Sequence, residues 1–343
     1  MVEVEIFVSS LQAHMNQVYA GFELLKKEKE INLNYKVDLK KPTEAILKVS
    51  INGKKIVFDM ADNSYINADF YQNCDFYIKR MLLKSDFKKK NKIIPYGFNY
   101  SIIAKNRTMQ YLFLKNFTYK TIKYSIKYHN LLSRFLKVND SIINASKSLI
   151  ENDSKFNKPD QILFSARLWD PDRNDELLKK EERVKMNDLR INLVRRLKER
   201  YKNKFIGGIS DDYLSRKLCP DIILSNKVTY KKNYLKELNR STIAIATPGL
   251  EDSIGWKMGE YISNSCAIIS SDISHYKLPG EFKEHDNYLK FSTIDECVLN
   301  VDYLLNNKQV KTTMMKKNFQ YYSDFIEPSY LIRNIIKNIV NKK

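Results

Sequence analysis

The stretch STIAIATPGLEDSIGWKMGEYISNSCAIISSD, residues 241–272, decides the fold. It begins with a short apolar run at 242–246, which predicts a buried strand. A Thr-Pro-Gly loop and two acidic residues follow, and a helix is predicted at 255–265. A second apolar run at 267–270 predicts another strand. This order of strand, loop, helix and strand is typical of an α/β domain with a parallel sheet.

The same alternation continues on both sides of this stretch. A strand is predicted over ILFSARL at 162–168, and a long amphipathic helix with Leu189, Leu193 and Leu197 on one stripe follows it. The remaining predicted elements are strands at 205–206, 221–224 and 288–291, and helices at 230–239 and 294–305. Five or more strands in about 130 residues predict a doubly wound domain, which binds its ligand at the carboxyl ends of the strands.

The N-terminal half repeats this pattern with weaker signals. Its predicted elements are strands at 4–9, 56–59 and 92–99, a helix at 11–27 and a short mixed segment at 76–84. Residues 100–157 lose the pattern, and the polar stretch ENDSKFNKPD predicts an interdomain linker. A chain of 343 residues with 43% hydrophobic content suits two domains. We expect an α/β protein with two Rossmann-like domains, at 1–157 and 158–322, and an amphipathic C-terminal helix at 323–343.

Charge and composition narrow the classes of function. The chain has 59 Lys and Arg against 40 Asp and Glu, and its net charge of +19 favours an anionic partner. Nucleotide bias in a lysine-rich sequence explains the charge equally well. Zinc-finger spacing, a basic zipper and an RNP1 motif are all missing, so no nucleic-acid partner is expected. The four cysteines form no C-x-x-C pair, so neither disulfides nor a structural metal is predicted.

The 241–272 stretch resembles the second domain of GT-B glycosyltransferases, in the large group with an E-x7-E motif. Asp252 and Glu260 have the required spacing, so the pattern here is D-x7-E, with Glu251 one residue out of register. The resemblance implies two Rossmann-like domains that face each other across a cleft. It also implies that the C-terminal helix returns to pack on the first domain. In such enzymes the first acid lies near the transferred sugar and the second bonds the ribose hydroxyls.

Several residues are expected to bind the donor. The helix that opens near Gly255 would offer backbone amides and its dipole to a phosphate, next to Lys257 in its first turn. The segment FSARLWDPDR places Arg167 and Arg173 where the resembled enzymes hold the donor diphosphate, and a guanidinium suits phosphate oxygens. With Gly249 and Glu260, these form the predicted donor site.

A metal ion is not part of the predicted site. Asp170 and Asp172 form a D-x-D pair of the kind that holds a divalent ion in GT-A enzymes. The pair stands at the start of a second α/β unit, whereas the GT-A pair closes a first one. We therefore expect metal-independent transfer and no cofactor, with a UDP-sugar as the first donor to consider.

The predicted function is transfer of a sugar from a nucleoside-diphosphate sugar to an acceptor hydroxyl, in surface polysaccharide or glycoconjugate synthesis. Catalytic candidates are His14, Asp252, and either Asp59 or Asp62 as a base on the acceptor side. The acceptor would be a glycan or a lipid-linked or protein-linked group. A non-catalytic GT-B-like scaffold, a nucleotide-sugar epimerase of the same fold and a basic RNA-binding protein remain as alternatives.

The sequence also predicts where the protein acts. The N-terminus carries acids where a signal peptide is basic, and no run reaches the roughly 18 apolar residues of a membrane span. A cytoplasmic location is therefore expected. The segment 115–137 mixes Tyr and Ile with Lys, a composition that suits an anionic bilayer. Peripheral association with the inner face of the membrane is thus an alternative to an ordinary solvated surface.

Overall fold

The computed structural model describes residues 1–9, 13–37, 45–100, 102, 156, 159–225 and 231–341. The chain divides into two compact units. Unit 1 contains the described residues of 1–150 together with 275–281 and 322–341, and unit 2 contains those of 151–274 and 282–321. The return of 275–281 to unit 1 was not expected from the sequence.

Unit 1 contains a six-stranded sheet with the strand order β2-β1-β3-β4-β5-β6. Its strands are β1 (Val2–Val8), β2 (Ile31–Val37), β3 (Ile46–Ile51), β4 (Lys54–Asp59), β5 (Phe76–Lys79) and β6 (Ile93–Pro95). Strand β3 is antiparallel to β1 and β4, so this sheet is mixed rather than parallel. The reason is a hairpin between β3 and β4, whose turn residues Asn52 and Gly53 both have positive φ.

The core of unit 1 follows from alternation along β1. Its sequence VEVEIFV places Val4, Ile6 and Val8 on one face, and all three side chains are buried. Helix α1 (Asn16–Lys27) adds Phe22 to the same core. Two short helices, α2 (Ala68–Gln72) and α3 (Lys84–Lys89), complete the described helices of the N-terminal half.

Unit 2 contains a six-stranded, fully parallel sheet with the order β12-β11-β10-β7-β8-β9. Its strands are β7 (Ile162–Ala166), β8 (Phe205–Ser210), β9 (Ile223–Leu224), β10 (Ile243–Ala246), β11 (Ala267–Ser270) and β12 (Tyr288–Lys290). Counted within the unit, this is the doubly wound order 3-2-1-4-5-6, which confirms the Rossmann-like prediction. The winding direction reverses between β7 and β10, so the topological switch point lies there.

Four of the described helices of unit 2 lie between these strands along the chain, and two more follow the last strand. They are α4 (Leu177–Tyr201), α5 (Tyr213–Leu218), α6 (Lys231–Arg240), α7 (Trp256–Ser263), α8 (Ile294–Asn306) and α9 (Lys308–Tyr321). Helix α9 escaped prediction because lysines interrupt its apolar pattern, and it buries only a narrow stripe that includes Met314 and Met315. No helix in the described ranges combines the length and apolar character that crossing a bilayer requires.

Helix α10 (Pro328–Asn341) belongs to unit 1 and packs on α1, which confirms the predicted return of the C-terminal helix. Ile332 of α10 is fully buried. A Cβ atom at Gly21 would overlap the Ile332 side chain and the carbonyl of Pro328. The two helices therefore approach each other closely at the point where α1 lacks a side chain.

We expect Gly21→Ala to lower the free energy of unfolding of unit 1 by about 1–3 kcal/mol, because the added methyl group overpacks the contact with Ile332. Urea unfolding followed by circular dichroism tests this. Trp169 and Trp256, the only tryptophans, both lie in unit 2, so their fluorescence reports on that unit separately. Gly255→Ala is the control, since a Cβ there meets nothing within 4 Å. An unchanged dichroism midpoint for Gly21→Ala would contradict the close approach.

Candidate functional site

The two central strands of the unit 2 sheet part before they end. Strands β7 and β10 pair at two positions only, the second of them Leu163 with Ala244, whereas β7 pairs with β8 along its whole length. The loops at 167–170 and 247–252 follow these open carboxyl ends. A doubly wound sheet binds its ligand at this place.

Arg190 on α4 joins the two loops. Its Nη1 donates a hydrogen bond to the carbonyl of Arg167 at 2.8 Å, on the β7 side. On the β10 side, Nη2 donates to the carbonyl of Pro248 at 2.7 Å and Nε donates to Thr247 Oγ1 at 3.2 Å. Burial, together with the charge of Arg167, lowers the pKa of Arg190 to about 10. The guanidinium therefore remains charged at neutral pH.

Arg167 itself is exposed and stacks on a neighbouring ring. Its Cζ lies 3.8 Å from the ring centroid of Trp169, which is a cation–π contact. The backbone of Trp169 is held by Asn187, which accepts from its amide at 2.9 Å and donates to its carbonyl at 2.7 Å. Asn187 and Arg190 lie three residues apart on the same face of α4. One helix face therefore fixes the loop that presents the Arg167 side chain.

Lys257, in the first turn of α7, reaches across to β7. Its ammonium group contacts the carbonyl of Ser165 and donates to Ser165 Oγ at 2.9 Å. It also lies 5.4 Å from the ring centroid of Tyr234. Burial lowers the pKa of Lys257 to about 7, with smaller effects of the same sign from Arg190, Lys231 and Arg167. The amine of Lys257 is therefore close to half protonated at neutral pH.

Glu260, one turn further along α7, is buried, with 2% of its surface exposed. Its carboxylate forms an ion pair with Lys231 at the start of α6. The amines of both Lys231 and Lys257 lie near the ring of Tyr234, with Lys231 Nζ 5.2 Å from its centroid. Burial raises the pKa of Tyr234 well above its ordinary value, and the charge of Glu260 contributes. Glu260 thus lies beside the switch point, and it already has a cationic partner.

The loop between β10 and α7 has an unusual backbone. The amide of Gly249 donates to the carbonyl of Ser253 at 2.8 Å, which closes a turn. Within the turn, Glu251 and Asp252 have φ values of 57° and 54°, a region that residues other than glycine rarely adopt. Asp252 is exposed on this turn, whereas Glu260 lies inside. The D-x7-E pair is therefore split between the surface of the loop and the interior.

Arg173 lies apart from these groups. It is at the end of a short 3-10 turn, Pro171–Arg173, with 83% of its side chain exposed, and its Nε lies 3.4 Å from Asp170 Oδ2. Asp170 also accepts a hydrogen bond from the Asp172 amide at 3.1 Å. Within the described part of the chain, no three His, Cys, Asp or Glu side chains are grouped so that they could hold a metal ion.

In unit 1, the carboxyl ends of β4 and β5 carry a buried ion pair. Asp59 Oδ2 accepts from Lys79 Nζ at 2.9 Å and from Tyr77 Oη at 2.6 Å. Its Oδ1 accepts from the amide of Ala61 at 3.1 Å. Both charged groups are buried. Asp59 is therefore occupied in holding the sheet edge together.

His14, Asp62 and Arg80 come together at the same edge. Arg80 is buried and forms an ion pair with Asp62, half of whose side chain is exposed. Burial lowers the pKa of His14, and so does the charge of Arg80, whereas Asp62 and a hydrogen bond with the Met60 backbone raise it. The net lowering favours a neutral imidazole at neutral pH, which is the form that accepts a proton.

Sequence reasoning missed Arg190 and Lys231. Arg190 lies on the buried stripe of α4, at a position where the helical pattern predicts an apolar residue. Leu189, which was predicted on that stripe, is only partly buried. Thr247, a hydrogen-bond partner of Arg190, is 57 residues away along the chain, so local spacing carries no signal for the contact. The segment 115–137, predicted to suit an anionic bilayer, lies outside the described residues.

The chain matches no family model and no curated protein. Among solved structures it is similar to a glycosyltransferase from Rickettsia africae, with 11% identity over 96% of this chain and 82% of that one, at a TM-score of 0.37. WaaG, a glycosyltransferase involved in lipopolysaccharide biosynthesis, has 9% identity over 98% and 99% of the two chains, at 0.38. S. aureus TarM in complex with UDP has 15% identity over 88% and 66%, at 0.36. At these values the similarities carry no information about activity or site residues.

We expect any diphosphate that binds at the switch point, with UDP as the probe, to lose roughly tenfold in affinity between about pH 6 and about pH 8, because Lys257 loses its positive charge as the pH rises through about 7. Calorimetric titration at several pH values measures this. Lys257→Met is the control, since the phosphate of UDP titrates in both proteins and the difference between the two profiles isolates the lysine. Parallel profiles would contradict the assigned protonation.

We expect the pKa of His14, followed by NMR titration of its imidazole signals, to lie below the ordinary value of an imidazole. The Asp62→Asn variant should lower it further, because the carboxylate that favours the charged imidazole is removed. His14→Gln assigns the signal among the four histidines. A pKa that rises in Asp62→Asn would show that the two side chains do not interact as described.

Proposed function

We propose that the protein is a glycosyltransferase that transfers a sugar from a nucleoside-diphosphate sugar to an acceptor hydroxyl. The single observation that supports this most strongly is the cluster of cationic side chains at the unit 2 switch point. Lys257 lies among three further cations, which lower its pKa: Arg167, Arg190 and Lys231. The carboxylate of Glu260 raises it. A dianionic diphosphate group would balance these charges.

On the donor side, we assign the diphosphate to Arg167 and Lys257, at the start of α7. The α7 N-terminus, with Gly255 as its first flanking residue, adds a favourable dipole for the phosphates. When the bond between the sugar and the diphosphate breaks, negative charge grows on the leaving phosphate oxygen. Cations that are already in place stabilise that charge. We therefore propose metal-independent transfer, for which activity in excess chelator is the direct test.

Recognition of the rest of the donor falls to the loop and the helix around it. We assign the ribose hydroxyls to Glu260, whose carboxylate is buried beside the phosphate-binding groups. Asp252, exposed on the strained turn after Gly249, is assigned to the transferred sugar. Arg173, which is almost fully exposed, is the weakest member of the set and would have to turn toward the diphosphate on binding.

On the acceptor side, we assign proton removal to His14 with Asp62 beside it, in unit 1. The acceptor oxygen bonds to the anomeric carbon, the bond to the diphosphate breaks, and the acceptor proton passes to the imidazole. The neutral form of His14 that burial favours is the one this step needs. A UDP-sugar as donor and a glycan, lipid-linked or protein-linked acceptor complete the proposal, with surface polysaccharide or glycoconjugate synthesis on the cytoplasmic side.

Calorimetric titration with UDP, GDP, dTDP, CMP and ATP tests the donor site. We expect selective binding of one nucleoside diphosphate, UDP first, and a weaker affinity in Glu260→Gln, which removes the carboxylate and keeps its shape. Glu199→Gln is the control, because Glu199 is an exposed residue of α4. Release of the nucleotide from its sugar conjugate should then require an acceptor.

Other outcomes favour other functions. Conversion of the sugar nucleotide without an acceptor would indicate an epimerase, and binding without turnover of any conjugate would indicate a scaffold. A folded protein that binds none of the nucleotides, but binds RNA with a steep salt dependence, would overturn the proposal.

A further inference from the structure

We propose that Arg190 is the positioning residue of the donor site. It sets the distance between the two loops that receive the diphosphate, and the bound diphosphate balances its positive charge. This inference rests on the proposed donor site of unit 2. Arg190 does not itself touch the reacting atoms. It acts through Arg167 and through the loop at 247–249.

The geometry requires a guanidinium. Three of its N–H groups point in different directions to three acceptors, the carbonyls of Arg167 and Pro248 and the hydroxyl of Thr247, at 2.7 to 3.2 Å. These acceptors belong to two loops that follow strands no longer paired with each other. A lysine ammonium is a single point on a flexible stem and cannot span both loops with the same fixed spacing.

The electrostatics indicate an anionic ligand. Arg190 is 7% exposed, and no carboxylate forms an ion pair with it in the part of the chain that the structure describes. All three of its acceptors are neutral oxygens. A buried cation without a counter-ion is unfavourable unless something anionic balances it. The charge of Arg167 lowers the pKa of Arg190, and the charges of Arg190 and Arg167 both lower the pKa of Lys257, so a bound anion would favour the charged forms of both side chains.

The same charges determine how the site responds to pH. Lys257 is surrounded by Arg190 from α4, Lys231 and Tyr234 from α6, Arg167 and Ser165 from the β7 side, and Glu260 from its own helix. Removing the charge of Arg190 should shift the midpoint of the Lys257-dependent binding profile to higher pH. Replacing it by lysine should leave the midpoint near its place. A residue with a purely structural role would not separate these two variants.

The experiment compares Arg190→Lys, Arg190→Met and Arg195→Met with the wild type, using UDP as the probe in calorimetric titrations across the pH range. Arg195 is the matched control, since it lies on the same helix, is exposed and pairs with Asp221. We expect both Arg190 variants to bind UDP roughly tenfold or more weakly, and Arg195→Met to bind as the wild type does. The midpoint should rise in Arg190→Met only.

The outcomes distinguish a failure of the proposed donor site from a failure of the positioning role of Arg190. If the wild type binds no nucleotide, the proposed function fails. If the wild type binds UDP and a folded Arg190→Lys binds it equally well, the positioning role is overturned while the donor site stands. Should Arg190→Met not fold, Arg190→Lys alone decides on geometry, because it keeps the charge. Equal weakening in Arg195→Met would indicate a general effect on α4 and would also overturn the inference.

Discussion

The candidate donor site depends on the place where β7 and β10 stop pairing. After Leu163 and Ala244 the two strands are no longer paired, and their carboxyl ends open toward the switch point. A backbone gap in a sheet leaves polar groups that need partners. Side chains from neighbouring helices supply them, Lys257 at Ser165 and Arg190 at Arg167 and Pro248. The side chains that donate to these backbone carbonyls are therefore cationic, and they place positive charge at the carboxyl ends of β7 and β10.

In unit 1, by contrast, the cations at the carboxyl ends of the strands are paired with carboxylates. At its carboxyl edge, Lys79 pairs with Asp59 and Arg80 pairs with Asp62. His14 then lies beside an ion pair rather than an isolated charge, and burial is the largest influence on its pKa. Charges that are paired in this way suit a neutral hydroxyl better than a phosphate. The acceptor role proposed for this edge and the donor role proposed for the switch point of unit 2 both require this difference in charge.

Much of the architecture could be predicted from the sequence, because short apolar runs and amphipathic spacing indicate strands and helices locally. Strand β11 was predicted with both of its bounds, and so was the presence of the helix between β10 and β11 that carries Lys257 and Glu260. Strand β2 escaped because it is an edge strand with polar residues on its solvent face. Arg190 and Lys231 escaped because their roles arise from contacts between distant segments. In an arginine-rich and lysine-rich chain, composition cannot distinguish a buried cation from a solvated one.

A crystal structure of the protein with UDP tests the central claim, that the unit 2 switch point is a diphosphate site. The two phosphates should lie at the carboxyl ends of β7 and β10, in contact with Arg167 and the amine of Lys257. The basic surface around Arg200, Lys202 and Lys204 precedes β8 and lies at the amino ends of the strands. UDP bound there, or anywhere away from the switch point, would contradict the account.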